Sequence, residues 1–313
     1  MDADPGPVRT LADAGGAADR SDFRILVSVA NPATCEKLIR TGSALAAAND
    51  GELLALSVAV TDAPGAIDSS DPEVESRQAV VDRAMAVAKD DENDVPTRGL
   101  VRAAESPAAG ILDTSEAYDV DCVLLGWHGG RSSEAEVVIG NVVDEVSANT
   151  RRDLLVERVR GGIKPVDSVL VPIAGGIHSS LAVSTARDLA LATDATITVA
   201  TVVGPGATPG ERDSYVEMLE EATADVDDLP VETRLLEGES IAETLVVESR
   251  DYDLTVMGAT GTGSLEELLF DSVTAKVARG ASGHFLIARR SDGSSGSRAR
   301  RLLSKLFEGH DPG

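Results

Sequence analysis

The chain has 313 residues, a formal net charge of −25 and only 3% aromatic residues. Its length fits two domains of ordinary size, and a hydrophobic fraction of 42% is enough for their cores. The acidic composition excludes DNA, RNA and anionic lipid as partners, because binding to phosphates needs clustered Lys and Arg. We interpret the acidic surface as an adaptation that keeps the protein soluble in a salt-rich (halophilic) cytosol. The alternative is that this surface recruits a basic partner.

No run of about 18 apolar residues is present, so the sequence predicts no transmembrane helix. Segment 1–22 is rich in Asp, Gly and Ala and lacks the basic start and apolar core of a signal peptide, so we expect a disordered leader. The two cysteines, Cys35 and Cys122, form neither a disulfide framework nor a zinc site. These features together predict a cytoplasmic protein.

An internal repeat organises the rest of the chain. The segment RILVSVA recurs as SVLVPIA, and DVDCVLLGWHG recurs as DYDLTVMGATG. In the first repeat, apolar runs separated by helical patterns predict five strands: Arg24–Ala30, Leu53–Val60, Thr97–Ala103, Cys122–Leu125 and Asp153–Val159. In the second repeat, the equivalent strands are Ser168–Ala174, Thr196–Val203, Val231–Leu236, Leu254–Met257 and His284–Ala288. The helices between them are expected to begin near Glu36, Glu73, Ala108, Ser179, Glu211 and Ile241.

This alternation of strands and helices predicts βαβ units and a parallel sheet. Continuous runs of Val, Leu and Ile are typical of strands that are buried on both faces. We therefore predict an α/β protein of two doubly wound domains, residues 23–160 and 165–290. Each domain would hold a five-stranded parallel sheet in the order 3-2-1-4-5. Because an apolar sheet edge favours association, we expect the two domains to pair within the chain through their fifth strands.

Ligands of such sheets bind beyond the carboxyl ends of the strands, where the strand order reverses. The loops that follow the first and fourth strands are therefore the candidate sites. In the second half, Gly258 ends the fourth strand, Gly261 comes after two residues, and Asp271 and Ser272 follow nine residues later. Glycines at this spacing let backbone N–H groups approach phosphate oxygens, although they also suit plain strand-to-helix turns. The candidates in the first half are Gly126, Gly129, Gly130, Arg131, Gly140 and Asn141.

On these motifs, the chain from Phe23 to Arg289 resembles the universal stress protein family in a tandem two-domain form. In nucleotide-binding members of that family, the glycine motif holds the phosphates and ribose of ATP. The resemblance implies ATP or a related nucleotide as a ligand, bound at Gly126, Gly129, Gly130, Arg131, Gly140, Asn141, Gly258, Gly261 and Ser272.

Departures from the family pattern imply that these nucleotide sites are degenerate. Members that bind ATP usually carry Asp directly after the first strand, where this chain has Ala30 and Ala174. Asp271 replaces the last glycine of the second motif, and Asn141 replaces the hydroxyl residue of the first. The resemblance thus implies a binding or regulatory protein that binds nucleotide weakly at most. An ATPase is the enzymatic alternative, and the sequence shows no nucleophile elbow, phosphate loop or metal-ligand cluster in its support.

The chain is also similar to the cytosolic extensions of haloarchaeal amino-acid permease-type transporters, which implies a membrane transporter as a partner. The C-terminal segment 291–313 contains a flexible Gly/Ser-rich linker and then a short basic amphipathic stretch, Arg298–Phe307. A stretch of this length does not hold a helix on its own. We therefore expect a surface, of this protein or of a partner, to stabilise it.

The Asp271 carboxylate is predicted to block nucleotide binding in the second half. Two like charges about 4 Å apart repel by about 1 kcal/mol in water and about 4 kcal/mol at a dielectric constant of 20, which corresponds to a roughly five-fold to thousand-fold loss of affinity. In ATP titrations at constant salt, Asp271→Gly should create or strengthen a second binding event, and Gly140→Asp should abolish the first. A second half that stays silent in Asp271→Gly would show that another feature blocks it.

Overall fold

The computed structural model describes residues 8–14, 23–62, 71–127, 130–131, 137–138, 141–158, 166–224, 226, 229–259 and 273–291. The strands in this part of the chain are β1 (Val8–Ala14), β2 (Arg24–Ser28), β3 (Glu52–Val60), β4 (Thr97–Ala104), β5 (Cys122–Trp127), β6 (Gly130–Arg131), β7 (Val137–Val138), β8 (Asp153–Arg158), β9 (Ser168–Pro172), β10 (Thr196–Val203), β11 (Val231–Glu237), β12 (Leu254–Gly258) and β13 (His284–Arg289). The α-helices are α1 (Pro32–Ala47), α2 (Pro72–Lys89), α3 (Pro107–Ala117), α4 (Asn141–Asn149), α5 (Ile177–Thr193), α6 (Pro209–Thr223), α7 (Ile241–Glu248) and α8 (Val273–Gly280).

One 11-stranded sheet runs through both halves in the order β1-β4-β3-β2-β5-β8-β13-β12-β9-β10-β11. Within each half, the predicted strand order 3-2-1-4-5 is confirmed, and neighbouring strands are parallel. The order places the first and fourth strands side by side in each half. These two places are where the strand order reverses and where such sheets bind their ligands.

Helices cover both faces of the sheet, as the runs of Val, Leu and Ile predict. Apolar residues of α1, α2, α5 and α6 pack on one face, and those of α3, α4, α7 and α8 pack on the other. Strand β3 shows why the runs are continuous, because all of its residues except Val60 are buried. Within the described ranges, no helix combines the length and the apolar character needed to cross a bilayer.

Four helices begin with a polar cap followed by proline, which explains starts that lie earlier than the hydrophobic pattern predicts. Asn31, Asp71, Ser106 and Thr208 each accept a hydrogen bond from a backbone N–H of the first helical turn. The proline that follows each cap has no N–H to leave unpaired and has a backbone angle suited to a helix. The sequence pattern starts these helices later because it relies on apolar periodicity, which the first turn does not show.

Strand β1 differs from the expected disordered leader. Val8–Ala14 pairs antiparallel with β4, with an irregular register between Thr10 and Ala12. The third strand of the first half would otherwise present a row of backbone donors and acceptors at the edge of the sheet. The hydrogen bonds that order this segment come from its pairing with β4. Amino-acid composition does not reveal such a pairing, so composition alone predicts disorder. The expected linker at 160–165 and the basic stretch Arg298–Phe307 lie outside the described residues.

The two halves join where β8 pairs antiparallel with β13, as the sequence predicts. Val156 lies opposite Ile287 at the centre of the pairing, and Leu155 lies opposite Ala288. Helices α1 and α5 pack against each other across the junction, where the Asn49 side chain donates a hydrogen bond of 2.9 Å to Asp188. The pairing therefore converts two apolar edges into the centre of a single sheet.

Arg158 at the end of β8 is the principal polar contact of the junction. Its side chain is 1% exposed and lies over the Phe285 ring at 5.7 Å. The guanidinium donates hydrogen bonds to the carbonyl oxygens of Ala278, Ala281 (2.8 Å) and Gly283 (2.6 Å). These carbonyls lie at and just after the C-terminal end of α8, where a positive charge is favourable.

Arg158→Met should lower the free energy of unfolding by about 3–5 kcal/mol, because it keeps most of the volume but leaves buried carbonyl groups without donors. The matched control is Arg289→Met, which changes the residue at the same position of β13, where the side chain is only half-buried. We expect a loss of about 1 kcal/mol or less for the control. Urea unfolding of the three proteins in the same salt measures both values; equal losses would contradict the assigned role of Arg158.

Candidate functional site

A cavity of about 480 Å³ lies beyond the carboxyl ends of β2 and β5, at the point where the strand order of the first half reverses. We call it the strand-end cavity. Residues from the ends of β2, β3 and β5 and from α1 to α4 line it: Ser28, Val29, Ala30, Asn31, Thr34, Leu38, Val58, Val60, Arg77, Pro107, Ile111, Leu125, Gly126, Trp127, Val142 and Val143. Its position is the one that the sequence predicts for a ligand in the first half.

The turn from β2 into α1 forms one wall of the strand-end cavity. Asn31 ends the turn, and its side-chain oxygen accepts a hydrogen bond of 2.9 Å from the N–H of Ala33. The Ala30 carbonyl accepts a hydrogen bond of 3.2 Å from Arg77 on α2, and Arg77 also pairs with Glu73 at 2.8 Å. This wall is therefore held in place by the Asn31 cap of α1 and by Arg77, which links α2 to the turn after β2.

The strand-end cavity is mostly apolar. Among the described residues of the lining, Arg77 is the one that carries a charge, and Ser28, Asn31 and Thr34 are polar. Trp127, the only tryptophan of the chain, lines it while being 4% exposed. A lining of this kind suits an aromatic or aliphatic group of a ligand, and hydrogen bonds to a few polar atoms then set the orientation of the ligand.

Sequence reasoning missed Asn31 and Arg77 as site residues. Asn31 could have been found, because Asn followed by Pro directly after the first strand is a helix-start signal. Arg77 could not, because it lies on α2 and reaches the site only through the packing of that helix.

The structure places the site residues predicted in the first half at different distances from the cavity lining. Gly126 lies within β5, is half-buried and lines the cavity. Gly130 and Arg131 form β6, which pairs antiparallel with β7. Asn141 is the exposed first residue of α4, next to the lining residue Val142. Gly129 and Gly140 lie outside the described residues, so their part in a phosphate loop stays a prediction.

In the second half, Gly258 at the end of β12 occupies the place equivalent to Gly126. A Cβ atom on Gly258 would lie 2.7 Å from the backbone carbon and oxygen of His178, so the glycine lets β12 and the start of α5 approach closely. Gly175 and Gly176 both have positive φ, at 82° and 84°. Close packing therefore accounts for Gly258 without a ligand. Gly261, Asp271 and Ser272 lie outside the described residues.

His178 and Cys35 are the remaining candidates for reactive groups near the strand ends. The His178 Nδ1 atom accepts a hydrogen bond of 3.0 Å from the N–H of Arg290, which fixes the ring. Burial raises the pKa of the Cys35 thiol to about 11, so the group stays protonated at neutral pH. Among the described residues, no group of three or more His, Cys, Asp or Glu is arranged to hold a metal ion.

Comparison with known proteins gives a consistent picture of the family. The model of the universal stress protein family matches residues 23–158 and again residues 165–289. A universal stress protein from Archaeoglobus fulgidus DSM 4304 has a similar structure, with a TM-score of 0.58 and 16% identity over 87% of this chain and 98% of that one. The cytoplasmic domain of a prokaryotic cation chloride cotransporter gives a TM-score of 0.57 and 12% identity over 90% of this chain and 99% of that one.

A transporter is also similar in sequence. The chain is 23% identical over 276 residues to the Na(+)/H(+) antiporter NhaS5 of Synechocystis sp.. The match covers 85% of this chain but only 38% of the antiporter, so the chain spans well under half of that relative's length.

Proposed function

The chain belongs to the universal stress protein family, and we propose that it is a ligand-binding regulatory protein of that family whose working site is the strand-end cavity. The position of this cavity, at the reversal point of the first half, is the observation that carries the proposal. Its volume of about 480 Å³ suits a small molecule. In the second half, Gly258 lies against the His178 backbone, and loop residues 260–272 lie outside the described residues.

Nucleotide is a weak ligand in this proposal. The apolar lining around Trp127 and Ile111 suits a base, but Ala30 offers no side-chain hydrogen bond to it. Arg77 is the cation available for phosphate in the lining, and Glu73 and the Ala30 carbonyl already engage it. A phosphate would therefore have to compete with these partners for the guanidinium.

A binding role is also supported by the chemistry of the lining. Among the described residues that line it, none is an Asp, Glu, His, Cys or Lys that could serve as a general base or nucleophile. We therefore propose that the protein is not an enzyme, and that incubation with ATP releases no phosphate above the rate without protein.

Trp127 provides a built-in reporter for the strand-end cavity. Titration with ATP should change its fluorescence, and Ala30→Phe should abolish that change by filling the cavity mouth with an aromatic ring. The matched control is Ala174→Phe, since Ala174 follows the first strand of the second half and is equally exposed. We expect the control to retain the binding curve. Equal ATP affinity in both variants, measured by isothermal titration calorimetry, would place the site elsewhere.

A second candidate function is regulation of a membrane transporter. It is favoured by the likeness to the cotransporter cytoplasmic domain over 90% of this chain and by the antiporter relative over 85% of it. The structural match to the cotransporter domain is long enough to include both halves of this chain. In this candidate function, the two paired domains dock on the transporter from the cytoplasm and signal to it whether the strand-end cavity is occupied.

Co-sedimentation with membranes from the source organism tests this second candidate. The full chain should sediment with the membranes, and deletion of Arg298–Phe307 should abolish this while leaving the melting temperature nearly unchanged. Detergent extraction and chemical cross-linking would then identify the transporter. A full chain that stays in the supernatant at every salt concentration tested would contradict the candidate.

A further inference from the structure

The two outer edges of the 11-stranded sheet differ. At one edge, β1 pairs antiparallel with β4, the third strand of the first half. At the other edge lies β11, the third strand of the second half, and β10 is its only strand neighbour in the described part of the chain. In β4 every residue except Arg98 is buried, whereas β11 exposes Glu232, Thr233, Arg234 and Glu237. The edge at β11 can therefore accept another strand.

The hydrogen bonds of β11 show which of its backbone groups face outwards. The N–H of Gly238, directly after the strand, donates a hydrogen bond of 3.1 Å to the carbonyl of Val203 in β10. Because a parallel strand directs alternate residues to the same neighbour, the even-numbered residues of β11 bond to β10. The odd-numbered residues, from Val231 to Glu237, direct their N–H and C=O groups away from β10. An added strand must bond to these residues.

The charges of β11 suit antiparallel pairing with a second copy of itself in one register. Outward-facing residues must lie opposite each other, so the two-fold axis passes through a residue. An axis at Glu232 or Arg234 sets like charges directly opposite each other, which is destabilising. An axis at Val231 or Leu235 joins no opposite charges. An axis at Thr233 sets Glu232 of each copy opposite Arg234 of the other and Thr233 opposite itself, and both pairings are favourable.

Strand β1 of another copy is a poorer partner for β11 than a second β11. Within the chain, Asp13 of β1 lies opposite Arg98 of β4. The residue of β11 equivalent to Arg98 is Glu232, since each is the second residue of the third strand of its half. A β1 strand paired with β11 in the same way would set the Asp13 carboxylate against that of Glu232, which is destabilising.

Exposed apolar side chains flank the β11 edge on both faces of the sheet. Val216 of α6 is 41% exposed and lies one turn after Arg212, which forms an ion pair with Glu237 of β11. On the other face, Ile241 is 48% exposed at the start of α7. At the junction of β8 with β13, helices of the two halves pack against each other across the paired strands. Pairing of two β11 strands would bring α6 and α7 of the two copies together in the same way and cover these side chains.

We propose that β11 is a dimerisation strand, through which two copies of the chain pair antiparallel with the two-fold axis at Thr233 and form one continuous sheet. The two Thr233 residues exchange backbone hydrogen bonds, and Glu232 meets the Arg234 guanidinium of the other copy. Among the described residues, Arg234 contacts Glu248 and Tyr252 through Nη1, so Nη2 and Nε face no competing partner there. Repulsion between two chains of net charge −25 opposes association, and we expect the dimer at high salt, where charges are screened within about 3 Å at 1 M.

Sedimentation equilibrium of the full chain in about 1 M salt should give the mass of a dimer. Thr233→Pro removes the N–H at the axis but no bond to β10, so it should weaken dimerisation at least about thirty-fold. Thr233→Val, which keeps the N–H and the branched side chain, is the matched control and should dimerise normally. A monomeric full chain would show that the edge stays open or is covered by another part of the chain, and would overturn the proposal. Unchanged dimerisation of Thr233→Pro would overturn it too.

A charge variant tests the register and decides the proposal if Thr233→Pro does not fold, as judged by circular dichroism. Glu232→Lys sets a positive charge opposite Arg234 of the other copy and should weaken dimerisation at least about ten-fold. Glu217→Lys makes the same change of charge at an exposed position of α6, close to the buried Leu219 in sequence but outside β11, and should not weaken the dimer. Equal dimerisation of the two variants would overturn the proposal.

Cross-linking locates the axis directly. Residue 233 lies opposite its own copy, with the two Cα atoms about 5.5 Å apart, which is within the range for a disulfide bond. Thr233→Cys should therefore give a covalent dimer on mild oxidation, while the native Cys35 and Cys122 are buried. Glu237→Cys is the control at an exposed position of the same strand, where the two copies would be about 26 Å apart. Cross-linking at neither position, or equally at both, would overturn the proposal.

Discussion

The antiparallel pairing of β8 with β13 is the interaction on which the rest of the structure depends. A five-stranded parallel sheet that ends in an apolar strand leaves backbone donors, acceptors and side chains without partners at that edge. In a tandem chain each half supplies the strand that the other needs. The pairing produces one sheet and one continuous apolar layer on each face. It also places Glu157 and Arg158 in the middle of the protein, where neither could lie in a single domain.

The two halves share a fold but differ in chemistry at equivalent places. The first half keeps a cavity at its strand ends, whereas the start of α5 lies close against Gly258 in the second. The first half contributes the buried pair of Lys37 and Glu157, whereas the second half has the buried apolar residues Leu181 and Ala288 at the equivalent places. A repeated domain can vary at its strand ends and still supply a partner surface, because the sheet depends on backbone pairing and apolar packing rather than on the residues of the loops.

Two cavities of the described structure differ in their linings. The strand-end cavity has a mostly apolar lining with Arg77, and a cavity of about 680 Å³ between the two halves is lined by six acidic residues and by Lys37, which pairs with one of them, Glu157. They are connected through the central strands, since Gly126 of β5 lies beside Glu157 of β8.

The sequence by itself determined the fold and the position at which the strand-end cavity lies. The repeated apolar runs were enough for two doubly wound domains, because strands buried on both faces must be apolar throughout. The strand order and the pairing of the halves, which apolar runs alone do not determine, were expected and are confirmed. The choice of Gly126 and of the loop after the fourth strand as candidate site residues followed from the rule that ligands bind beyond the strand ends. Only the tertiary structure decided the strand at Val8–Ala14, the role of Arg77 and the pairing of Lys37 with Glu157. These depend on contacts between residues that are distant in the chain, and no local pattern encodes such contacts.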